Sequence, residues 1–184
     1  MRRLLLLRHA KAERSQPGGG DHERVLAARG RADAKTLGAY LARHAFIPDH
    51  AVVSTSARTR ETWTLLAAAM GKTPPVTFDE RIYDAEPETI LKVVKETGPE
   101  TRVLMAVGHN PGFQELAAML VASGDIEARE RLGREFPTSA LVVINFAVET
   151  WNGVHPRGTS ATWLPALIRC TCSICSLSSC RTMT

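Results

Sequence analysis

Three short stretches of the chain hold the residue types that handle phosphate. Arg8-His9 follows the run Leu4–Leu7, Ser54-Thr55-Ser56-Ala57-Arg58 follows Ala51-Val52-Val53, and Gly108-His109-Asn110-Pro111 follows a third apolar run from Arg102 to Val107. Each run reads as a buried strand of a parallel sheet. In an open parallel α/β sheet, ligands bind beyond the carboxyl ends of the strands. Two histidines and two arginines distant in sequence are therefore expected in one crevice. Arginine suits an anion there, because its planar fork binds two oxygens and stays charged at any working pH. Asn110 is expected to cap a helix with Pro111 at its first position, so that free N–H groups and the helix dipole face the anion. Arg58 falls in the first turn of the preceding helix.

The elements that must position these groups alternate. After the first strand, Ser15 to Arg24 carries Pro17, Gly18–Gly20 and Asp21 and reads as a loop. Ala34, Leu37 and Leu41 recur at helical spacing within Gly30–His44, and Pro48 stops that helix. Ala51–Ser54 is a strand, and Ala57–Met70 a helix with Ser56 as N-cap and Gly71 past its end. Phe78–Tyr83 is a short acidic strand or loop, and Glu88–Thr97 a helix ended by Gly98-Pro99. The strand Arg102–Val107, a helix from Asn110-Pro111 to about Ala122 and a last strand Ala140–Ala147 complete the pattern. Strands alternating with helices imply a layered α/β sheet with right-handed crossovers.

Five blocks in order carry a resemblance to a known family. Leu6-Leu7-Arg8-His9-Ala10-Lys11-Ala12-Glu13 is followed by Ser54…Arg58…Thr62, Glu80…Tyr83, Gly108-His109-Asn110-Pro111-Gly112 and Phe136-Pro137-Thr138-Ser139-Ala140. The chain resembles the histidine phosphatase (phosphoglycerate mutase-like) superfamily over residues 3 to 150. Arg-His-Ala-Lys in place of Arg-His-Gly is similar to the SixA-type phosphohistidine phosphatases. The fold implied is a three-layer αβα sandwich with a mostly parallel central sheet.

The resemblance also implies a mechanism. Neutral His9 attacks phosphorus and forms a phosphohistidine intermediate, its second ring nitrogen held by a backbone carbonyl. Arg8, Arg58 and a protonated His109 hold the phosphoryl oxygens, Asn110 and Lys11 bind substrate, and Glu80 stands where a general acid stands in the mutase-like branch. No metal or other cofactor is implied, because the cationic pocket supplies that charge. The substrate expected is a phosphohistidine on a protein, such as a histidine-phosphotransfer domain. The alternatives are a small phosphoester on the same site, or phosphate-dependent binding without catalysis.

Composition narrows the remainder. With 44% apolar and 23% charged residues, the chain is neither disordered nor a coiled coil. Its net charge of +4 comes with no basic stripe, so nucleic acid is not an expected partner. Leu4–Leu7 is too short for a signal or a membrane span, so a cytoplasmic protein without a membrane partner is expected. Residues 1–163 are expected to form one domain. Residues 164–184, with Cys170, Cys172, Cys175 and Cys180, read as a tail outside the core. His22, His44, His50 and His155 lack motif context and are expected to be ordinary histidines, and Gly18–Gly20 lacks the Lys-Ser/Thr of a P-loop.

Overall fold

The structure is a computed structural model that describes residues 1–15, 18–121, 130, 132–156 and the backbone of 161–164. The cysteine-bearing segment 165–184 lies outside the described residues. The chain order is β1 (Arg2–Arg8), α1 (Ala28–Arg43), β2 (His50–Val53), α2 (Ala57–Met70), β3 (Val76–Phe78), the 3-10 turn η1 (Glu80–Ile82) and α3 (Pro87–Lys95), then β4 (Val103–Gly108), α4 (Gly112–Leu120), β5 (Leu141–Phe146), the 3-10 turn η2 (Trp151–Gly153) and β6 (Ala161–Leu164).

The strands form one six-stranded sheet in the order β3-β2-β4-β1-β5-β6. β3, β2, β4 and β1 run parallel, and β5 runs antiparallel to β1 and β6. Leu4, Leu5, Leu6 and Leu7 are fully buried because β1 sits between β4 and β5 with helices on both faces. Leu4 and Leu6 pack with Ile90, Phe113 and Leu116 from α3 and α4. Leu5 and Leu7 pack with Leu37, Leu41, Trp63 and Leu66 from α1 and α2. This is the layered α/β sheet that the alternating elements predict, in the three-layer form that the family resemblance implies. Each buried leucine contributes about 2 kcal/mol of hydrophobic free energy. Among the described residues, no helix is long and apolar enough to cross a membrane.

Local signals explain most element ends. Ser56 caps α2 through its Oγ, which accepts from the Thr59 N–H, and Gly71 closes the helix at φ 68° in the left-handed region. Two glycines permit close approaches that place the site. A Cβ on Gly30 would lie 2.1 Å from the Lys11 carbonyl oxygen, so only glycine lets α1 start against the exit of β1. A Cβ on Gly108 would lie 2.3 Å from the Phe113 ring, which packs under the turn that carries His109.

The structure departs from the sequence expectation at four places. The helix expected from Asn110-Pro111 starts at Gly112, with Pro111 in the N-cap position and no side-chain cap. Asn110 does not cap it: its amide Nδ2 donates to Gln114 Oε1 at 3.0 Å and to the Phe136 carbonyl at 3.1 Å, and its Oδ1 is buried without a partner among the described residues. The Asn110-Pro111 peptide is cis. The Phe78–Tyr83 segment resolves into the end of strand β3 and the turn η1, and α1 begins at Ala28, ahead of the expected Gly30. Finally, β6 pairs with β5 beyond the last strand expected.

Candidate active site

β1, β2 and β4 end side by side, since Arg8 pairs with Gly108 and Val53 pairs with Val107. The polar residues just past these ends therefore meet. The His9 and His109 rings lie 5.3 Å apart, centroid to centroid, tilted by 56°. His9, Arg58 and His109 are all buried, at 7%, 4% and 4% exposure.

His9 is held on three sides. Its N–H donates to the Gly108 carbonyl at 3.0 Å, and its own carbonyl accepts from the Ser139 N–H at 3.1 Å. The ring Nδ1 donates to the Ala10 carbonyl at 2.7 Å, which can only accept. The neutral ring thus carries its lone pair on Nε2, the arrangement expected of a nucleophile. The Ala10 N–H bonds Thr62 Oγ1 at 3.0 Å, which ties this turn to α2. Burial, together with the nearby guanidinium groups of Arg58, Arg8 and Arg24, lowers the His9 pKa to about 4.

The hydrogen bonds of His109 fit a neutral ring. Arg58 Nη2 lies 3.2 Å from His109 Nδ1, and a guanidinium can only donate, so Nδ1 accepts. The single ring proton is then on Nε2, which donates to Ser54 Oγ at 2.8 Å. Burial first, then the neighbouring His9, Arg58 and Arg8, lower the pKa to about 3, against the raising effect of Asp21. A neutral His109 follows because a second buried cation beside two arginines costs more than a hydrogen bond returns.

The arginines come from two strand ends. Arg8 Nη1 donates to the Phe136 carbonyl at 2.7 Å, and burial holds its pKa below the ordinary value. Arg58 donates from Nη1 to the Asp21 carbonyl at 2.6 Å and from Nη2 to Asp21 Oδ2 at 2.8 Å. The Nε of both arginines is buried without a partner among the described residues. Both guanidinium groups act on the His9 and His109 rings, so the two arginines stand near the paired imidazoles.

Of the residues expected from sequence, Arg8, His9, Arg58, His109 and Asn110 come together; Arg8 and Asn110 share the Phe136 carbonyl. Lys11 and Glu80 do not join them. Both side chains are exposed, and neither makes a hydrogen bond or ion pair among the described residues. The Lys11 carbonyl only anchors the Ala27 N–H, at 2.9 Å.

Residues without an assigned role complete the site. Ser139, in the left-handed region at φ 62°, presents its N–H to His9. The Tyr83 ring stands edge-on to His109 at 5.1 Å, and its hydroxyl donates to Asp21 Oδ2 at 2.7 Å. Hydrogen bonds from Tyr83 and the charges of Arg58 and Arg24 hold Asp21 below the usual carboxylate range. His22, expected to be an ordinary histidine, lies against the Tyr83 ring at 4.9 Å. The signals for Ser54, Tyr83 and Ser139 are their places in the recurring blocks; Asp21 shows only as the residue after three glycines. Among the described residues, no three His, Cys, Asp or Glu side chains converge as metal ligands.

The two depressed imidazole pKa values make stability pH-dependent. In the unfolded chain histidine titrates near 6.5, while folded His9 and His109 stay neutral down to about 4 and 3. Their contribution is present above pH 6.5 and is lost as the pH falls toward those values, because the unfolded chain binds more protons. Each adds a slope of about 1.4 kcal/mol per pH unit within that window. Urea titrations at several pH values should show the slope reduced in His109→Gln; an unchanged slope would exclude a buried neutral His109.

The comparisons with known proteins agree with this geometry. The family model of the histidine phosphatase superfamily (branch 1) matches residues 4–109. An uncharacterised protein of Mycobacterium leprae is 35% identical over 147 residues, which cover 77% of this chain and 88% of that protein. A crystal structure assigned as the phosphohistidine phosphatase SixA of Agrobacterium tumefaciens superposes with a TM-score of 0.72 at 31% identity, covering 79% of this chain and 92% of that one. A structure with the same assignment from Nakamurella multipartitia gives 0.74 at 27% identity, covering 89% and 93%. The fold is the phosphoglycerate mutase-like sandwich of these structures. Family model, strand-end geometry and the paired imidazoles lead to one conclusion, that the chain belongs to the histidine phosphatase superfamily, branch 1.

Proposed function

We propose that this phosphatase hydrolyses phosphohistidine on a protein, through a phosphoryl group carried transiently by His9. The observation that carries the reading is the His9 ring, locked by Ala10 with Nε2 unprotonated, near two arginines whose buried Nε–H groups have no partner among the described residues. The resemblance to structures assigned as SixA supports the substrate class.

In the first step His9 Nε2 bonds to phosphorus, and the P–N bond to the substrate imidazole breaks with its electron pair going to that nitrogen. The substrate ring leaves neutral when its other nitrogen already carries a proton from solvent. Arg8 and Arg58 hold the phosphoryl oxygens, and the dianion raises the His109 pKa so that this ring takes up a proton and becomes a third donor. Asn110, fixed against Phe136, borders the same oxygens. In the second step water attacks phosphorus, inorganic phosphate leaves and His9 regains its lone pair. The charge that a metal ion supplies elsewhere comes here from the guanidinium groups.

A leaving imidazole explains why a built general acid is dispensable. The Glu80 side chain is exposed and makes no hydrogen bond or ion pair among the described residues, whereas a phosphoester oxygen needs a proton donor in place. Glu80→Gln is therefore expected to keep phosphohistidine turnover within about threefold of wild type, whereas a working general acid is worth 10²–10⁴-fold. The substrate class is tested with a phosphorylated histidine-phosphotransfer domain and a set of small phosphoesters, each assayed with EDTA. Preferred turnover of the phosphorylated domain, unaffected by EDTA, supports the reading. Preference for the small esters would replace it with a general phosphomonoesterase.

A further inference from the structure

We infer that Asp21 is a positioning residue that clamps the terminal nitrogens of Arg58 and so fixes its guanidinium plane beside His109 and the phosphoryl site. The inference rests on the anion site proposed above and adds to it a residue that does not itself touch substrate.

One residue grips both terminal nitrogens of Arg58. The Asp21 carbonyl accepts from Nη1 at 2.6 Å and its carboxylate from Nη2 at 2.8 Å, while Nε is buried without a partner among the described residues. Nη2 also lies 3.2 Å from His109 Nδ1, so the clamp fixes the guanidinium plane against that ring, and a fixed plane is what ordered binding of an oxyanion requires. The clamp is itself held. Tyr83 Oη donates to Asp21 Oδ2 at 2.7 Å, and Arg24 Nε lies 2.9 Å from Oδ1 as an ion pair. Next in the chain, the His22 carbonyl accepts from the Ala57 N–H at 2.9 Å, and the His22 ring bonds Thr55 Oγ1 at 3.0 Å. The loop is thereby fastened to the start of α2, one residue from Arg58.

A carboxylate beside an anion site also repels the anion. Here that repulsion is small, because the Asp21 side chain is 53% exposed and shares its charge with Arg58 and Arg24. The alternative is that Asp21 acts as an internal competitor that phosphate must displace. The two accounts predict opposite signs for the same substitution.

The test is calorimetric binding of inorganic phosphate, with steady-state kinetics on the phosphorylated domain, for Asp21→Asn, Asp21→Ala and Tyr83→Phe. If Asp21 positions Arg58, phosphate binding weakens by about tenfold in Asp21→Ala and by a smaller factor in Asp21→Asn, whose side-chain oxygen can still accept from Nη2. The loss falls mainly on KM, and Tyr83→Phe loses about two- to threefold.

The pH dependence separates this role from a merely structural one. His109 is faced by the charged or titratable groups of His9, Arg8, Arg58, Asp21 and Tyr83, and the Asp21 charge favours its protonated form. Asp21→Asn therefore moves the alkaline limb of phosphate affinity to lower pH, at an unchanged melting temperature. Phosphate binding as tight as wild type or tighter in both Asp21 variants would overturn the inference. Phosphate binding is measured without turnover, so a wild-type protein that binds phosphate but is never phosphorylated on His9 would instead overturn the proposed function.

Discussion

His9→Ala is expected to lower kcat/KM for phosphohistidine and for any aryl phosphate by about 10⁴-fold or more, equivalent to roughly 5.5 kcal/mol of transition-state stabilisation. The size follows from the route. Without the imidazole there is no covalent intermediate, and water must attack the substrate directly past groups arranged for another nucleophile. Phosphate binding should survive within a small factor, because Arg8, Arg58 and His109 remain. The cost to the fold is confined to the Ala10 carbonyl, which loses the Nδ1–H donor at 2.7 Å. Alkali-quenched samples of wild type should carry an acid-labile, alkali-stable phosphoryl group on His9, and the variant none. Turnover in His9→Ala within about a hundredfold of wild type would remove His9 from the nucleophile role.

Arg58→Ala is expected to reduce kcat/KM by about 10²–10³-fold, and Arg58→Lys is expected to recover little of it. Arg58 does three things with one planar group: it binds Asp21, donates to His109 Nδ1, and keeps Nε free and buried. An ammonium is a compact point charge that cannot make these contacts in one plane. Loss of the guanidinium also removes a cation that depresses the His109 pKa, so that pKa rises from about 3 while burial still keeps it below the ordinary value. The check is NMR titration of the His109 ring beside the kinetic assay. A His109 pKa that stays in place would show that Arg58 does not reach the ring.

Much of the frame can be read along the chain, for local reasons. Leu4–Leu7 announces a strand covered on both faces, and every one of those leucines is fully buried. Ser56 and Gly71 bracket α2 because a hydroxyl satisfies free N–H groups and glycine enters the left-handed region cheaply. The convergence of Arg8, His9, Arg58 and His109 follows from the rule that parallel strands end together at the ligand crevice. Where local logic met a long-range competitor, it failed. Asn110 is a good capping residue, but the Phe136 carbonyl, 26 residues away, and Gln114 hold its Nδ2, and the Oδ1 that would cap meets no N–H among the described residues. The direction of β5 and the pairing of β6 escape pattern reading as well, because alternation and burial look alike in parallel and antiparallel strands.

The residue types along this chain specify a layered α/β sheet and bring two histidines and two arginines, groups suited to an anion, to its strand ends, since strand burial, helix capping and side-chain charge are properties of short segments. The hydrogen bonds of His109, the exposure of Glu80 and Lys11, and the grip of Asp21 on Arg58 came only with folding. Each depends on which distant groups surround a side chain and how far water is removed from it, and neither quantity exists until the chain is packed.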